Sequence, residues 1–291
     1  MDTKERKLYH EFLNLTAPNF FLDKSSSVVL VVEVHLENLI LLGIESETRE
    51  ILFLRDIRPE GFMNKRSIDF LSEFFKVNTN FFSRNWKKVF VNYVTKKSTL
   101  VPALFYSVED KDKFFSFNHS FDVSTEQVLS DYLPRIDSYL LYSVDRVLKE
   151  LIDINLPGNV LKNTGSIFIS TIVSKLKSKK VYLAVNIREL FFEIILFKEE
   201  FKFYNSFLYD GVDDLMYFLL ASCQEQNLLP SETEILVVGN CDVDSDVLNS
   251  IRNYFVQVQF GITEREITRG EVFYPIPSHF YYTLLNRFDC E

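Results

Sequence analysis

Glycine is scarce in this chain: only 8 of its 291 residues are glycine, against roughly 7% in an average protein. A backbone that approaches a phosphate group closely usually needs glycine, because a side chain would hold the peptide amides away from it. The sequence contains neither a Walker-type phosphate loop nor a Gly-x-Ser-x-Gly nucleophile turn. These absences exclude the most familiar motifs of P-loop nucleotide hydrolases and of serine hydrolases.

Cysteine is also rare, and the three residues present lie far apart and are odd in number. That pattern argues against a disulfide framework and for a reducing compartment. Neither the cysteines nor the four histidines follow a metal-ligand spacing, so we expect no metal site. These residues are Cys223, Cys241, Cys290, His10, His35, His119 and His279.

Long apolar segments are missing as well. No uncharged apolar run approaches the roughly 20 residues that span a bilayer. The first residues mix both charge signs and are not followed by the apolar region of a signal peptide. The formal charge of -9 opposes general nucleic-acid binding, which depends on cationic contacts to phosphate. We therefore expect a cytoplasmic protein with no integral membrane segment and no nucleic-acid partner.

What the sequence does contain is an internal repeat. Three β-rich runs joined by short polar turns occur twice, a pattern typical of an antiparallel meander. Each set is followed by an amphipathic helical stretch and then by another apolar strand. The repeat predicts two lobes, residues 1–163 and 164–291. The β-rich runs are 28–35, 39–42 and 51–54 in the first half and 181–188, 191–197 and 201–204 in the second.

The periodicity of apolar residues predicts the remaining elements. Residues 8–15 are interpreted as a short amphipathic helix, with Leu8, Phe12 and Leu15 on one face. Further strands are predicted at 89–94, 138–143, 234–240 and 256–260. Further helices are predicted at 67–77, 109–113, 145–152, 164–177, 213–223, 245–254 and 277–288.

The order β-β-β-α-β-α-β, present in both halves, resembles the actin-like ATPase superfamily. More narrowly, the chain resembles domain-of-unknown-function family 3822 (DUF3822), a bacterial family within that superfamily, over nearly its whole length from about residue 27. The resemblance implies an α/β, duplicated actin-like (ribonuclease H-like) fold. Each lobe would hold a mixed sheet that opens with the three-stranded antiparallel meander and is flanked by helices. The segments that carry the resemblance are 99–102, 205–209 with 213–217, 237–240 and 279–291.

In active members of that superfamily, ATP lies between the lobes, and the first turn of each lobe holds phosphate through a pattern like Asp-x-Gly-[Thr/Ser]. The corresponding turns here begin at Glu33, with His35 in place of glycine, and at Asn186, with Arg188 in place of glycine. A third motif, a glycine pair near adenosine, is reduced to Gly239 followed by Asn240. The resemblance therefore implies degenerate nucleotide loops at all six positions. We expect no catalytic residue, no cofactor and no metal ligand.

Three other clusters of polar residues allow a site, each with a structural alternative. Residues 242–246 resemble the opening of a calcium loop, but the glycine and glutamate of an EF-hand are absent from its sixth and twelfth positions. Those residues could instead cap the next helix. Asp213 and Asp214 could pair with Glu193 as an acid and a base, or favour a helix dipole. His35 and Arg188, in matching turns, could bind an anion or lie at the surface.

The leading functional hypothesis is a non-catalytic, two-lobed protein that binds another protein through the interlobe cleft or an exposed sheet edge. One alternative is a divergent phosphotransferase or ATPase that uses Glu33 or Glu193. Another is a membrane-proximal scaffold, similar to the actin-like proteins of pili and cell division, with residues 8–15 as a contact helix. The sequence leaves the partner and the oligomeric state open.

Overall fold

The computed structural model of the chain describes residues 9–35, 38–60, 67–175, 182–261 and 267–290. Within them lie two mixed sheets, one of six and one of five strands, and a third sheet of three strands. The α-helices are α1 (Ser67–Val77), α2 (Thr79–Phe82), α3 (Lys111–Ser116), α4 (Arg146–Asn155), α5 (Thr164–Lys175), α6 (Val212–Glu225), α7 (Asp246–Tyr254) and α8 (Tyr282–Leu285). Short 3-10 helices span Leu22–Ser27, Ala103–Phe105, Pro230–Glu232, Glu271–Phe273 and Asn286–Asp289.

The first large sheet has the strand order β1-β4-β3-β2-β5-β9. Its centre, β2, is buried at every residue, because helices cover both faces of the sheet. Alternate residues of β2 enter two cores: Val28, Leu30 and Val32 pack with α1 and α4, whereas Val29 and Val31 pack with the C-terminal segment. The strands are β1 (Tyr9–Thr16), β2 (Val28–Val34), β3 (Leu39–Glu45), β4 (Ile51–Pro59), β5 (Lys88–Tyr93) and β9 (Val160–Asn163).

The second large sheet has the order β12-β11-β10-β13-β14. Helices α6 and α7 pack on one face, against Leu183 and Val185 of the central strand. Helix α5 packs on the other face, against Ala184 of the same strand. The strands are β10 (Tyr182–Ile187), β11 (Phe191–Lys198), β12 (Glu200–Leu208), β13 (Glu234–Gly239) and β14 (Gln257–Phe260).

The two large sheets share one topology. Five strands of the first, β4-β3-β2-β5-β9, repeat the order of the whole second sheet. In each case the first three strands form an antiparallel meander, and the last two pair in parallel. This arrangement confirms the predicted duplicated α/β fold. The lobe boundary remains a proposal, and we place it after Asn163, where β9 ends and α5 begins.

The first lobe carries an insertion between β5 and α4, at residues 98–145. Its three strands lie in the order β6-β8-β7, all antiparallel, and α3 packs on them. The sequence predicted only β8 and the short helix, which begins at Lys111 rather than at residue 109. The strands are β6 (Ser98–Pro102), β7 (Glu126–Leu133) and β8 (Ser138–Asp145).

Two predicted helices are wrong in the structure. Residues 9–15 of the expected N-terminal helix belong to β1 (Tyr9–Thr16), an antiparallel edge strand on β4. Leu13 and Leu15, two residues apart, pack on the core, and Phe12 is exposed, so the apolar period is that of a strand. Leu8 lies outside the described residues. The helix predicted at 277–288 contains only one α-helical turn, α8, followed by a 3-10 turn. Helix α5 is described to Lys175, and the last two residues predicted for it lie outside the described part.

Within the described residues, no helix combines the length and the apolar character needed to cross a bilayer.

Candidate functional site

The three bends that follow β2, β10 and β13 meet in one cleft of about 390 Å³ between the two large sheets. Because β2 runs parallel to β5 and β10 runs parallel to β13, the carboxyl ends of the central strands lie at the same edge of each sheet. The structure brings together all six positions predicted from the sequence: Glu33, His35, Asn186, Arg188, Gly239 and Asn240 line the cleft.

The guanidinium group of Arg188 lies at the centre of the cleft and bridges the lobes. Its Nη1 donates to Oε1 of Glu33 at 3.2 Å, across the cleft, and its Nε donates to Oε2 of Glu193 at 3.3 Å. Its Nη2 donates to the Thr283 hydroxyl at 3.3 Å. Thr283 in turn donates to Oε2 of Glu33 at 3.4 Å. Strand β2 of the first lobe and the bend after β10 of the second are therefore held by one cation.

A buried polar network supports this arginine. Glu193, on β11, is fully buried and accepts from Asn186 Nδ2 and from the Tyr204 hydroxyl, both at 2.7 Å. The Tyr204 oxygen also lies 3.3 Å from Oγ of Ser98 in the insertion. Burial, together with the nearby carboxylate of Glu193, raises the pKa of Tyr204 well above its usual value. The phenol therefore stays protonated and acts as a donor to Glu193.

The charge state of Arg188 follows from its surroundings. Burial alone would lower the pKa of Arg188, but Glu33 and Glu193 outweigh that effect and hold the pKa above its usual value. The side chain of Arg188 is 12% exposed, and those of Glu33 and Glu193 are 7% and 0% exposed. A permanent cation thus faces two carboxylates in a nearly dry site, where removing one partner is costly.

His35 lies at the same edge of the cleft and is neutral at pH 7. Burial first, and then the charges of Arg188 and Arg58, lower the pKa of His35 to about 4. Arg58 pairs with Asp56 at 3.2 Å and stacks over the Phe12 ring with its guanidinium carbon 3.9 Å from the centroid. Arg58 therefore contacts a carboxylate and an aromatic ring, and Arg188 contacts two carboxylates.

The backbone amides at the bends donate within the protein. The amide of His35 donates to the carbonyl of Asn38, and that of Arg188 donates to the carbonyl of Phe191. The amide of Gly239 donates to the backbone carbonyl of His279, and the amide of Asn240 donates to the backbone carbonyl of Ile187 at 2.7 Å. These described amides cannot also bind phosphate without losing those bonds. In the described part of the bends, these four amides therefore do not fit the phosphate tail of a nucleotide.

Gly239 is needed for close packing at its bend. Its φ of 93° lies in the left-handed region, and a Cβ placed on it would come 2.1 Å from the Ile187 carbonyl oxygen. The glycine thus lets the end of β13 lie against the end of β10. The same Cβ would also come 2.7 Å from Oδ1 of Asn186, so the glycine allows close packing within the second lobe.

The other predicted clusters stay apart from the arginine network or have local roles. Asp213 and Asp214 are exposed in the first turn of α6, and Asp214 accepts from the backbone amide of Asp210. Glu193 accepts from Asn186, Arg188 and Tyr204 instead of pairing with these aspartates. Residues 242–245 form the turn before α7, Ser245 caps that helix, and Asp246 is its first residue. No group of three metal-ligating side chains occurs in the part of the chain that the structure describes.

Sequence reasoning missed Tyr204 and Thr283, which complete the network. Thr283 is 250 positions from Glu33 in the chain, and nothing in its local sequence predicts a contact. Tyr204 was recognised only as part of a β-rich run. A useful signal was the charge of Arg188 at a turn matched to that of Glu33, which predicts that the two groups attract each other once the lobes face each other.

The family comparison identified a model described as a protein of unknown function (DUF3822), which matches residues 17–258. No curated protein matches the chain. Among solved structures, a Bacteroides thetaiotaomicron protein with an actin-like ATPase fold and unknown function superimposes with a TM-score of 0.79 at 15% identity. The match covers 94% of this chain and 99% of that one. A PilM–PilN type IV pilus biogenesis complex gives a TM-score of 0.61 at 10% identity and covers 89% and 97% of the two chains. These likenesses show the actin-like fold.

Proposed function

We propose that this chain, which belongs to the DUF3822 family and has an actin-like fold, is a non-catalytic protein that acts by binding another protein. The position of Arg188 carries the proposal. Its guanidinium lies between Glu33 and Glu193, at the bends where active members of the superfamily hold phosphate and metal. The chain thus supplies its own cation to these two carboxylates.

Charge balance explains why a nucleotide would bind poorly at this position. A triphosphate would meet carboxylates of Glu33, Asp56 and Asp242 along the cleft. The two arginines of the cleft, Arg58 and Arg188, already pair with acids. A magnesium ion would have to displace the guanidinium from its carboxylates, which leaves a buried arginine unpaired at a cost of several kcal/mol. Both components of a metal–nucleotide complex are therefore disfavoured.

Calorimetric titration with ATP and magnesium tests the non-catalytic part. We expect no binding heat and no thermal shift at millimolar ligand, and no phosphate release above buffer. We also expect Glu33→Gln to leave any background turnover unchanged. Binding in the sub-millimolar range, or a turnover that Glu33→Gln abolishes, would refute this part and favour the divergent phosphotransferase.

Exposed apolar side chains on the insertion support the protein-binding part. Leu104, Phe105 and Phe117 are 86%, 63% and 70% exposed, and all three lie near β6. A single exposed apolar residue is common on a protein surface, whereas a group of them indicates an interaction surface. The PilM structure that resembles this chain is described as a complex with PilN, which favours a protein ligand here as well. We therefore assign the partner contact to the insertion.

A crosslinked pull-down from the native cell tests this surface. We expect one protein to be retained by the wild type and lost with Leu104→Asp and Phe105→Asp. Val256→Asp is a matched control, because Val256 is 76% exposed on the second lobe. Retention of the same protein by all variants would contradict the assignment. If the wild type co-sedimented with liposomes and the insertion variants did not, the insertion would bind a membrane rather than a protein, which would also contradict it.

A further inference from the structure

A second cavity, of about 640 Å³, lies where the insertion meets the second lobe. The turn between β7 and β8 forms one wall, and the exposed side of α5 forms another. Lys162 at the end of β9 and the C-terminal residues Asn286 and Cys290 line it as well. Its volume is in the range of pockets that bind small organic molecules.

The charges that line this cavity are all positive. Lys162, Lys175 and Arg135 contribute cations, and no acidic side chain is among its described lining residues. The chain as a whole carries a formal charge of -9, so a lining with three cations and no acid differs in charge from the protein as a whole. Two acids lie close by: Asp131 is 8% exposed and accepts from the backbone amide of Asn163, and Asp137, in the β7–β8 turn, accepts from the hydroxyl of the lining residue Tyr132.

The two lysines are held in place. Nζ of Lys162 donates to the Cys290 carbonyl at 2.7 Å, and Nζ of Lys175 donates to Oδ1 of Asn286 at 3.1 Å. The Lys175 ammonium also lies 4.9 Å from the centroid of the Tyr282 ring. Arg287, which is fully buried, donates to the same Cys290 carbonyl at 3.1 Å and so helps to fix the acceptor of Lys162. Fixed cations bind an anion with little loss of side-chain entropy.

The rest of the lining is divided between apolar and hydroxyl groups. Leu133, Ile136, Ile169 and Val173 supply the apolar part. Hydroxyl groups come from Tyr132 on β7 and from Ser170, Thr171 and Ser174, which lie within two turns of α5. A ligand that matches this lining carries an acid group at one end and an apolar body at the other.

We propose that this cavity is a binding site for a small organic anion, an acid group on an apolar or aromatic body. The acid group lies near Lys162 and Lys175, and the body lies against the apolar residues of α5 and the β7–β8 turn. The site is separate from the interlobe cleft and does not depend on the proposed function. Because its lining comes from the insertion and from α5, a ligand there also stabilises their contact.

Two dyes with the same kind of body test the proposal. Anilinonaphthalene sulfonate carries an acid group, and N-phenylnaphthylamine is its uncharged counterpart. We expect saturable fluorescence enhancement with the sulfonate, at least about tenfold tighter than the neutral dye at low salt, and a loss of that advantage at high salt. Naphthoate should displace the sulfonate, and naphthamide should not.

Variants on α5 locate the binding. Lys175→Met should weaken the sulfonate at least fivefold and leave the neutral dye unchanged, and Ser170→Trp, which fills the cavity, should weaken both. Lys113→Met is the charge-matched control, because Lys113 is exposed on α3, away from the cavity lining. Circular dichroism confirms that each variant is folded. Equal sulfonate affinity in the wild type and in both α5 variants would overturn the proposal, and so would equal affinity for the two dyes.

Discussion

Replacing Arg188 with methionine should destabilise the protein markedly, because the change removes a charge and keeps most of the apolar stem. Glu33 and Glu193 would then face each other in a site where their side chains are 7% and 0% exposed. Removing one partner of a buried ion pair costs about 3–5 kcal/mol. Water entering the space left by the guanidinium offsets part of this cost, so we expect about 3 kcal/mol. A domain of this size class loses roughly 2–4 °C per kcal/mol, which predicts a fall in melting temperature of roughly 6–12 °C.

Urea unfolding followed by two probes measures the effect. The single tryptophan, Trp86, is buried in the core of the first lobe, with its ring 4.9 Å from that of Phe81, so its fluorescence reports on that lobe. Circular dichroism reports on both lobes. Because Arg188 joins Glu33 of one lobe to Glu193 of the other, we expect coincident transitions in the wild type and separated ones in Arg188→Met. Urea is preferred because guanidinium salts screen ion pairs.

Two further variants make the result specific. Glu33→Gln combined with Arg188→Met should be at least about 1.5 kcal/mol more stable than the sum of the single effects predicts, because the two residues interact directly. Arg252→Met is the matched control, since Arg252 is exposed on α7, and it should change stability by less than about 1 kcal/mol. A loss below about 1 kcal/mol in Arg188→Met, or additivity within about 0.5 kcal/mol, would refute the assigned role of the arginine.

Two other predictions concern the edges of the cleft. His35 has a folded-state pKa of about 4, below its unfolded value of about 6.5, so its contribution to stability is complete above pH 6.5 and is lost as the pH falls toward 4. Between pH 7 and pH 5 the wild type should lose up to about 2 kcal/mol more than His35→Leu, and equal losses in urea melts would contradict the burial of a neutral imidazole. Gly239→Ala should cost at least about 2 kcal/mol, because φ is 93° and the new Cβ would strike the Ile187 carbonyl oxygen. Gly270→Ala, with open space around it, should stay within about 0.5 kcal/mol, and similar melting temperatures for the two variants would disprove the strain.

The parts of the fold that could be predicted are those where burial alone fixes the pattern. The central strands β2 and β10 are apolar because both of their faces are covered, and such runs are visible in a sequence. The sequence of β1 predicts a helix wrongly, because over only eight positions its apolar residues fit both a helical period and the alternating period of a strand. β7 and β9 were missed because their residues are mixed, and pairing with β8 and β5, rather than composition, makes them strands.

The site could be placed from the sequence, but its contacts could not be. The superfamily resemblance named four positions in the two matching turns and two more after the later strand of the second lobe, and all six line the cleft. Arg188 and Glu33 are 155 positions apart in the sequence, and no local periodicity indicates that their side chains meet. The missing glycines indicate what the bends lack compared with the superfamily pattern. They do not indicate that Arg188, which replaces one of these glycines, bridges the lobes.

An arginine side chain of the protein differs from a bound metal ion, because it is present in the cleft at any concentration of ions in the solution. The pairing of Arg188 with Glu33 and Glu193 therefore holds the lobes together without any ligand. A ligand that opened this contact would have to recover, through new contacts, the several kcal/mol that an unpaired buried charge costs. The acids that line the cleft, Glu33, Asp56 and Asp242 among them, would attract a cationic group rather than a phosphate. A phosphate group at this position would therefore meet electrostatic repulsion from these acids as well as the cost of freeing Arg188 from its two carboxylates.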